Sequence, residues 1–520
     1  MFTSAAARRT ASALSTVVAT AIAAAVLPAS AALAARQSVP ARYAQQRLDW
    51  QPCQDSPLEC ATMTVPRDWH HPGAGADLTI AVSRHRASDS AKRRGVLMMA
   101  AGGPGGSGLK RPQYLAGGSP TIDSSYDVVS FDQRGVGRST RAVCESDAEF
   151  ADFFAGDFRD RSPAALERVV NRSRTFVENC RKRSGDLLPH LTTEQTVRDM
   201  DLFRSLLGER KISYYGASYA TMVGAYYASL FPQRVERAVL DSNVGFDGTW
   251  EDFSKGQPMS FQRRFDEDFL PWLATYDHVY HYGATAAEAK ATWERRRAAL
   301  REHPLRAGQA VIGPNQLDNG AIQAIYNAGQ GFEALATALA ALEHWDTAEP
   351  REQAVAAKVF GSYSGPDFFA EYFSVTCNDT PWTRDMASWV ERSGEDTANL
   401  PLVGARELGI AAVCAAWPKS PAPKVKVTGA GLPATLMLNS VHDPATYHEA
   451  AVRAHRALRG SRLVTVTGDG DHGQFENGNA CVDGVVDTYL TTGAVPARDT
   501  ACPGKPLPVP AGAAAGKQGK

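Results

Sequence analysis

The chain carries no surplus of charge of either sign: 55 Lys and Arg face 56 Asp and Glu, for a formal net charge of −1. With no Arg-rich block or basic stripe, nucleic acid drops out of the partners to consider. Neither Cys-x-x-Cys nor His-Glu-x-x-His occurs, so familiar zinc spacings are missing and no metal is expected. No Gly-Lys-Ser/Thr closes the glycine-rich loop at 102–108, which sets aside a nucleotide cofactor. Past the first residues, no apolar run is long enough to span a bilayer.

What is present begins with a leader. Arg8 and Arg9 precede an alanine-rich apolar run from about Ala11 to Leu27, followed by small residues through Ala34. The pattern predicts a secretory signal peptide over residues 1–34, cut after Ala31 or Ala34. The first cysteine is Cys53, too far on for a lipid anchor. The processed chain is therefore expected to be secreted, free of the membrane and monomeric. Its eight cysteines fall into sequence-local pairs, Cys53/Cys60, Cys144/Cys180, Cys377/Cys414 and Cys481/Cys502. An even count in an exported chain predicts disulfides, each worth about 2–4 kcal/mol, although spacing alone leaves connectivity open.

Short apolar runs at Gly95–Ala100 and Tyr126–Phe131 lack polar alternation, as expected of strands buried on both faces. Further strands are predicted at Ile212–Tyr215, Ala238–Asp241, Leu436–Asn439 and Arg462–Thr467, with a helix over Thr193–Leu207. Strands alternating with helices predict an α/β fold with a doubly wound, mostly parallel sheet. The strand signal lapses between residues 245 and 423, where helical patterns dominate. This stretch reads as a helical cap inserted between two core halves, 35–244 and 424–502, and 503–520 reads as a disordered tail.

Ser218 lies where one of these strands breaks into a helical pattern, within Gly216-Ala217-Ser218-Tyr219-Ala220. Gly-x-Ser-x-small between strand and helix is the nucleophile elbow of the α/β-hydrolase fold, which lifts the serine hydroxyl above the sheet. A serine hydroxyl needs a histidine to take its proton and an acid to orient that histidine. In this fold the chain order is serine, acid, histidine. His472 follows the last predicted strand in a glycine-rich loop, and Asp443 follows the strand before it. Asp469 and Asp471 lie nearer in sequence to His472 but are expected to shape its loop, and His442 is expected to be a rim or packing residue. The oxyanion formed by attack requires inward N–H groups. Tyr219, directly after the nucleophile, and Gly103, in the glycine loop after the first buried strand, are the candidates. Asp132 and Arg134 sit at the same sheet edge and are expected to pair and brace that loop.

Gly-Gly-Pro-Gly-Gly-Ser-Gly at 102–108, Asp132-Gln-Arg-Gly-x-Gly-x-Ser139 and the Ser218 elbow together resemble the prolyl iminopeptidase and tripeptidyl aminopeptidase family of α/β-hydrolases. The likeness runs from Cys53 to Cys502 and includes Cys377-Asn378-Asp379 and Cys414-Ala-Ala-Trp417-Pro418. The chain departs from the family pattern at Ala220, at Ala101 and around Asp443. The resemblance implies a serine exopeptidase acting on peptides with free N-termini, with Ser218, Asp443 and His472 as its triad and no cofactor. An aminopeptidase must also hold a cationic α-amine. Asp379, Glu371 and Glu251, with Asp247, are the candidate carboxylates, and Trp250, Trp382 and Tyr219 the candidate apolar lining. An esterase or amidase of the same fold is the alternative, favoured by an apolar rather than an acidic cap. A binding protein with a lapsed triad is the non-enzymatic reading.

Overall fold

The apolar runs of the sequence become the middle of a ten-stranded sheet. A computed structural model describes residues 39–513 except 308–309, 362–363 and 419–423, so the leader expected over 1–34 lies outside the described residues. The strands before the elbow are β1 (Gln51–Pro52), β2 (Glu59–Val65), β3 (Leu78–His85), β4 (Val96–Met99) and β5 (Asp127–Phe131). Next come β6 (Ile212–Ser218), β7 (Val235–Asn243), β8 (Leu305–Ala307) and β9 (Ala310–Ile312). The last are β10 (Leu436–Ser440), β11 (Arg462–Thr467) and β12 (Thr500–Pro503). Across the sheet the order is β1-β2-β3-β5-β4-β6-β7-β10-β11-β12. Pairings are antiparallel from β1 to β5 and parallel from β5 to β12.

Burial on both faces accounts for the missing alternation. Val96 and Met98 of β4 join one core with Val129 and Phe131, while Leu97 and Met99 join the opposite core with Val128. Helix Thr193–Leu206 is capped by the Thr192 hydroxyl, which accepts from Gln195 N, and it buries Val197, Met200 and Phe203. The same helix presents Asp199, wholly buried, to Arg134. Arg134 Nε and Nη2 donate to Asp199 at 2.8 and 2.7 Å, and Nη1 donates to Arg67 O at 2.8 Å. Arg134→Ala would strand the Asp199 charge in the interior. It is expected to cost about 3–5 kcal/mol, read as a lower midpoint in urea unfolding at unchanged slope.

Among the described residues between β7 and β10, a series of helices runs from Trp250 to Ala416, interrupted by the short antiparallel pair β8–β9. That segment has a core of its own, built around Phe269, Trp293, Phe332, Leu335 and Leu339. Helical periodicity did not foretell the hairpin, because strands of three residues are too short to show alternation. The tail also departs from expectation. Residues 503–513 are ordered against the fold: β12 pairs with β11 through Pro503, and Trp272 Nε1 donates to Pro508 O at 2.7 Å. Prolines at 503, 506, 508 and 510 fix φ along this stretch, so less entropy is lost on laying it down. Residues 514–520 lie outside the described set.

The cysteines pair as their sequence neighbourhoods suggest, Cys53–Cys60, Cys144–Cys180, Cys377–Cys414 and Cys481–Cys502. Cys377–Cys414 joins helix Pro366–Asp379 to helix Glu407–Ala416. Among the described residues, no helix is long and apolar enough to cross a membrane.

Candidate active site

Strand β6 runs straight into Ser218, and helix Tyr219–Leu230 begins at the next residue. Ser218 takes φ 63° and ψ −133°, a conformation that L-residues seldom adopt and that neighbouring contacts must hold in place. One such contact is the Thr221 hydroxyl, which donates to Ser218 O at 2.6 Å and accepts from Val244 N at 3.1 Å. Gly216 lets the helix return close over the strand, since a Cβ there would meet Ala220 O at 2.6 Å. The sequence carries alanine at 220 without penalty, because the tight approach is at 216.

His472 sits past β11 and Asp443 past β10, both at strand ends on the Ser218 side of the sheet. His472 Nδ1 lies 3.0 Å from both Asp443 oxygens. Asp443 is wholly buried, and its Oδ1 accepts from Ala445 N and Thr446 N at 2.9 and 2.8 Å. Its Oδ2 accepts from the Thr446 hydroxyl at 2.9 Å. Tyr326 also supports the imidazole: its carbonyl accepts from His472 N at 2.7 Å and its ring stands edge-on at 5.2 Å. Burial alone would depress the His472 pKa, but the Asp443 charge and hydrogen bond outweigh it, with help from Asp241, and the net shift is upward. Asp241 also clamps the loop by accepting from Gln474 N and Phe475 N. Thr446 and Tyr326 escaped sequence reasoning, since nothing local marks a threonine or a carbonyl as a partner of a distant histidine.

The glycine loop passes directly over the serine. A Cβ on Gly102 would lie 3.1 Å from Ser218 Cβ, and Gly103 holds φ +117°. Tyr219 opens its helix, so its N–H has no acceptor within that helix. Asp132 braces the loop as expected, accepting from Ser107 Oγ at 2.7 Å and Gly108 N at 2.8 Å. It does not pair with Arg134, however. That expectation is corrected: Arg134 turns into the interior toward Asp199, whereas Asp132 is taken up by backbone N–H groups including Arg138 N. His442 pairs with Asp268 at 3.0 Å.

Two family models match the chain, an α/β-hydrolase fold over residues 95–311 and a TAP-like protein over 400–502. A tripeptidyl aminopeptidase of Streptomyces coelicolor is 35% identical over 484 residues, covering 90% of this chain and 88% of that protein. The chain belongs to the tripeptidyl aminopeptidase family of α/β-hydrolases. Serine protease Hip1 of Mycobacterium tuberculosis is 28% identical, covering 88% of this chain and 91% of that protein. Carboxylesterase B of the same organism is 29% identical, covering 85% and 86%. The protein is thus an enzyme, a serine hydrolase and a peptidase of the α/β-hydrolase family.

In this family member, Ser218 and His472 open into a cavity of about 550 Å³ between the sheet edge and the helical segment. Eleven aromatic side chains line it, among them Trp250, Tyr326 and a cluster of Phe153, Phe154, Phe158, Phe368, Phe369 and Phe373. No carboxylate does so among the described residues. The acids expected to receive an α-amine therefore need correction. Asp379 lies behind the elbow, accepting from Thr193 N at 2.9 Å, Thr193 Oγ1 at 2.6 Å and Trp250 Nε1 at 3.3 Å. Burial pushes its carboxyl up to about 6 against those donors. Glu371 is wholly buried against Gly135, away from the cavity, and burial raises its carboxyl well above the usual range. Glu251 accepts from Thr383 N at 2.6 Å and pairs with Lys255 at 2.5 Å. Asp247 faces Arg453 at 3.6 Å.

The same geometry sorts the expected aromatic lining. Trp250 reaches the cavity, but Tyr219 turns its hydroxyl to Thr193 at 2.8 Å and Trp382 donates to Thr376 O. Helix Pro366–Asp379 gives the cavity its Phe368, Phe369, Tyr372 and Phe373 face, so Glu371 and Asp379 fall on the side turned to Gly135 and Thr193.

Proposed function

We propose that this protein is a secreted serine exopeptidase that releases short peptides, chiefly tripeptides, from free N-termini by way of an acyl-enzyme. The His472–Asp443 hydrogen bond, with His472 and Ser218 lining one cavity, is the observation that carries this reading. Ser218 Oγ attacks the scissile carbonyl while its proton passes to His472 Nε2, and Asp443 holds the Nδ1–H tautomer and steadies the imidazolium. The N–H groups of Tyr219 and Gly103 take the charge on the carbonyl oxygen. His472 then protonates the leaving amine, and a water activated by the same nitrogen hydrolyses the ester. Four disulfides support an oxidising, extracellular destination. The name of the Streptomyces relatives supports the tripeptide length.

With no carboxylate lining the cavity among the described residues, the α-ammonium is left to neutral acceptors and aromatic faces. Gln257 lines the cavity and is one such acceptor: its Nε2 donates to Ala445 O at 2.7 Å, so its Oε1 is the group available to accept. The same aromatic lining favours a second reading, an esterase or amidase of small acyl groups. Free-amine mono-, di- and tripeptidyl anilides, an N-acetylated tripeptide and a short ester, each run against Ser218→Ala, separate the two. Turnover of the free tripeptide that is lost on acetylation supports the exopeptidase, whereas ester turnover alone removes it.

The upward shift at His472 sets a pH dependence. The base works only when neutral, so kcat/KM is expected to climb with pH through a midpoint above 6.5. A rising limb centred below that value would contradict the assigned His472–Asp443 pairing.

A further inference from the structure

Buried arginines in this fold are matched by acids. Arg134 holds Asp199, Arg264 holds Asp268 and Asp471, and Arg297 holds Asp157 and Asp318, all within 3.0 Å. Arg111, half-buried, is the contrast. It starts the helix Arg111–Gly118 directly after the glycine loop, lines the Ser218 cavity, and makes no ion pair among the described residues. Its Nε is buried with no hydrogen-bond partner. Burial pushes its guanidinium down, as expected of a charge taken from water without a counter-ion. The second cation of the cavity, Arg406, has Glu407 4.0 Å away.

A half-buried guanidinium whose Nε has lost water and gained no acid is costly until something supplies one, and its planar fork fits a carboxylate in two-point contact. We propose that Arg111 determines specificity by receiving a carboxylate of the substrate, so that the enzyme favours anionic substrates over their neutral isosteres. The proposal rests on the hydrolase reading of Ser218 and adds the substrate's charge to it. The carboxylate has two sources, an acidic side chain or the free C-terminus of a short peptide.

The test measures kcat/KM for wild type, Arg111→Gln and Arg111→Lys on three sets of substrates. Tripeptidyl anilides carry Glu or Gln at each position in turn, tetrapeptides end in a free or amidated C-terminus, and p-nitrophenyl glutarate is paired with p-nitrophenyl valerate. In wild type the anionic member of at least one pair is expected to lead by about 10- to 100-fold, the worth of one charged hydrogen-bonded contact. That lead falls to within about twofold in Arg111→Gln and is partly kept in Arg111→Lys. The anilide and tetrapeptide arms tell the two sources apart. No anionic lead in any wild-type pair, or a lead that survives Arg111→Gln, overturns the proposal. If Arg111→Gln does not fold, competition by glutarate against its monoamide asks the same of wild type, and equal inhibition overturns it. Ester turnover without anilide turnover would retire the exopeptidase reading alone, because the ester pair still tests Arg111.

Discussion

Ser218→Ala is expected to lower kcat on the free tripeptidyl anilide by about 10⁶-fold, with KM changed little. The alanine keeps the strained turn, the glycine loop and the aromatic cavity, because none of these depends on the hydroxyl. What disappears is the atom proposed to form the acyl bond, and with it the proposed use of His472 as a base toward an enzyme group. A residue of rate, about 10³–10⁴-fold above the uncatalysed reaction, is expected to remain from oxyanion donors and positioning. Titration with a fluorophosphonate probe sets the ceiling on wild-type contamination, and the variant should take up none. A loss below about a hundredfold would mean that another nucleophile serves this cavity.

Asp443→Asn is expected to cost about 10⁴-fold in kcat, for a reason that can be traced atom by atom. Asp443 Oδ1 accepts two backbone N–H groups, from Ala445 and Thr446, so the asparagine oxygen must take that place. The amide NH₂ is then forced into the Oδ2 position, facing Thr446 Oγ1 and His472 Nδ1. There it donates to Nδ1 and drives the imidazole proton onto Nε2, where it blocks acceptance from Ser218. The threonine hydroxyl rotates to suit. Removing the carboxylate also removes the main upward influence on His472, so the rising pH limb should move down while the plateau stays low. A loss under tenfold would point to Asp469 or Asp471 as the acid. Both are committed elsewhere: Asp471 to Arg264 and Ala328 N, Asp469 to Asp471 N.

Much of this was readable because it is local. Ser218 ends a strand and Asp443 and His472 each follow one, and strand ends announce themselves through apolar runs that give way to glycine, proline and polar residues. The parallel part of the sheet followed from the same runs. The acids were misjudged because their surroundings are assembled from afar. Asp379 meets Thr193 and Trp250, more than a hundred residues away, and nothing within Cys377-Asn378-Asp379 reveals which side of its helix faces the cavity. Arg134 and Asp132 stand two residues apart, yet a distant helix claims one and the adjoining loop backbone claims the other. The aromatic wall needed the fold too, since Phe153 and Phe373 become neighbours only when their segments pack, with ring centroids 6.2 Å apart.

The placing of the disulfides bears on how such a chain matures. Their partners stand 7, 36, 37 and 21 residues apart, and no bond overlaps another along the sequence. Of the roughly 105 ways to join eight cysteines, this one lets each thiol meet its partner before the next pair has emerged. A polypeptide delivered N-terminus first can therefore oxidise in the order of its synthesis. Each closure is completed within a stretch already at hand, and competing unions with remote cysteines carry a larger loop-closure penalty.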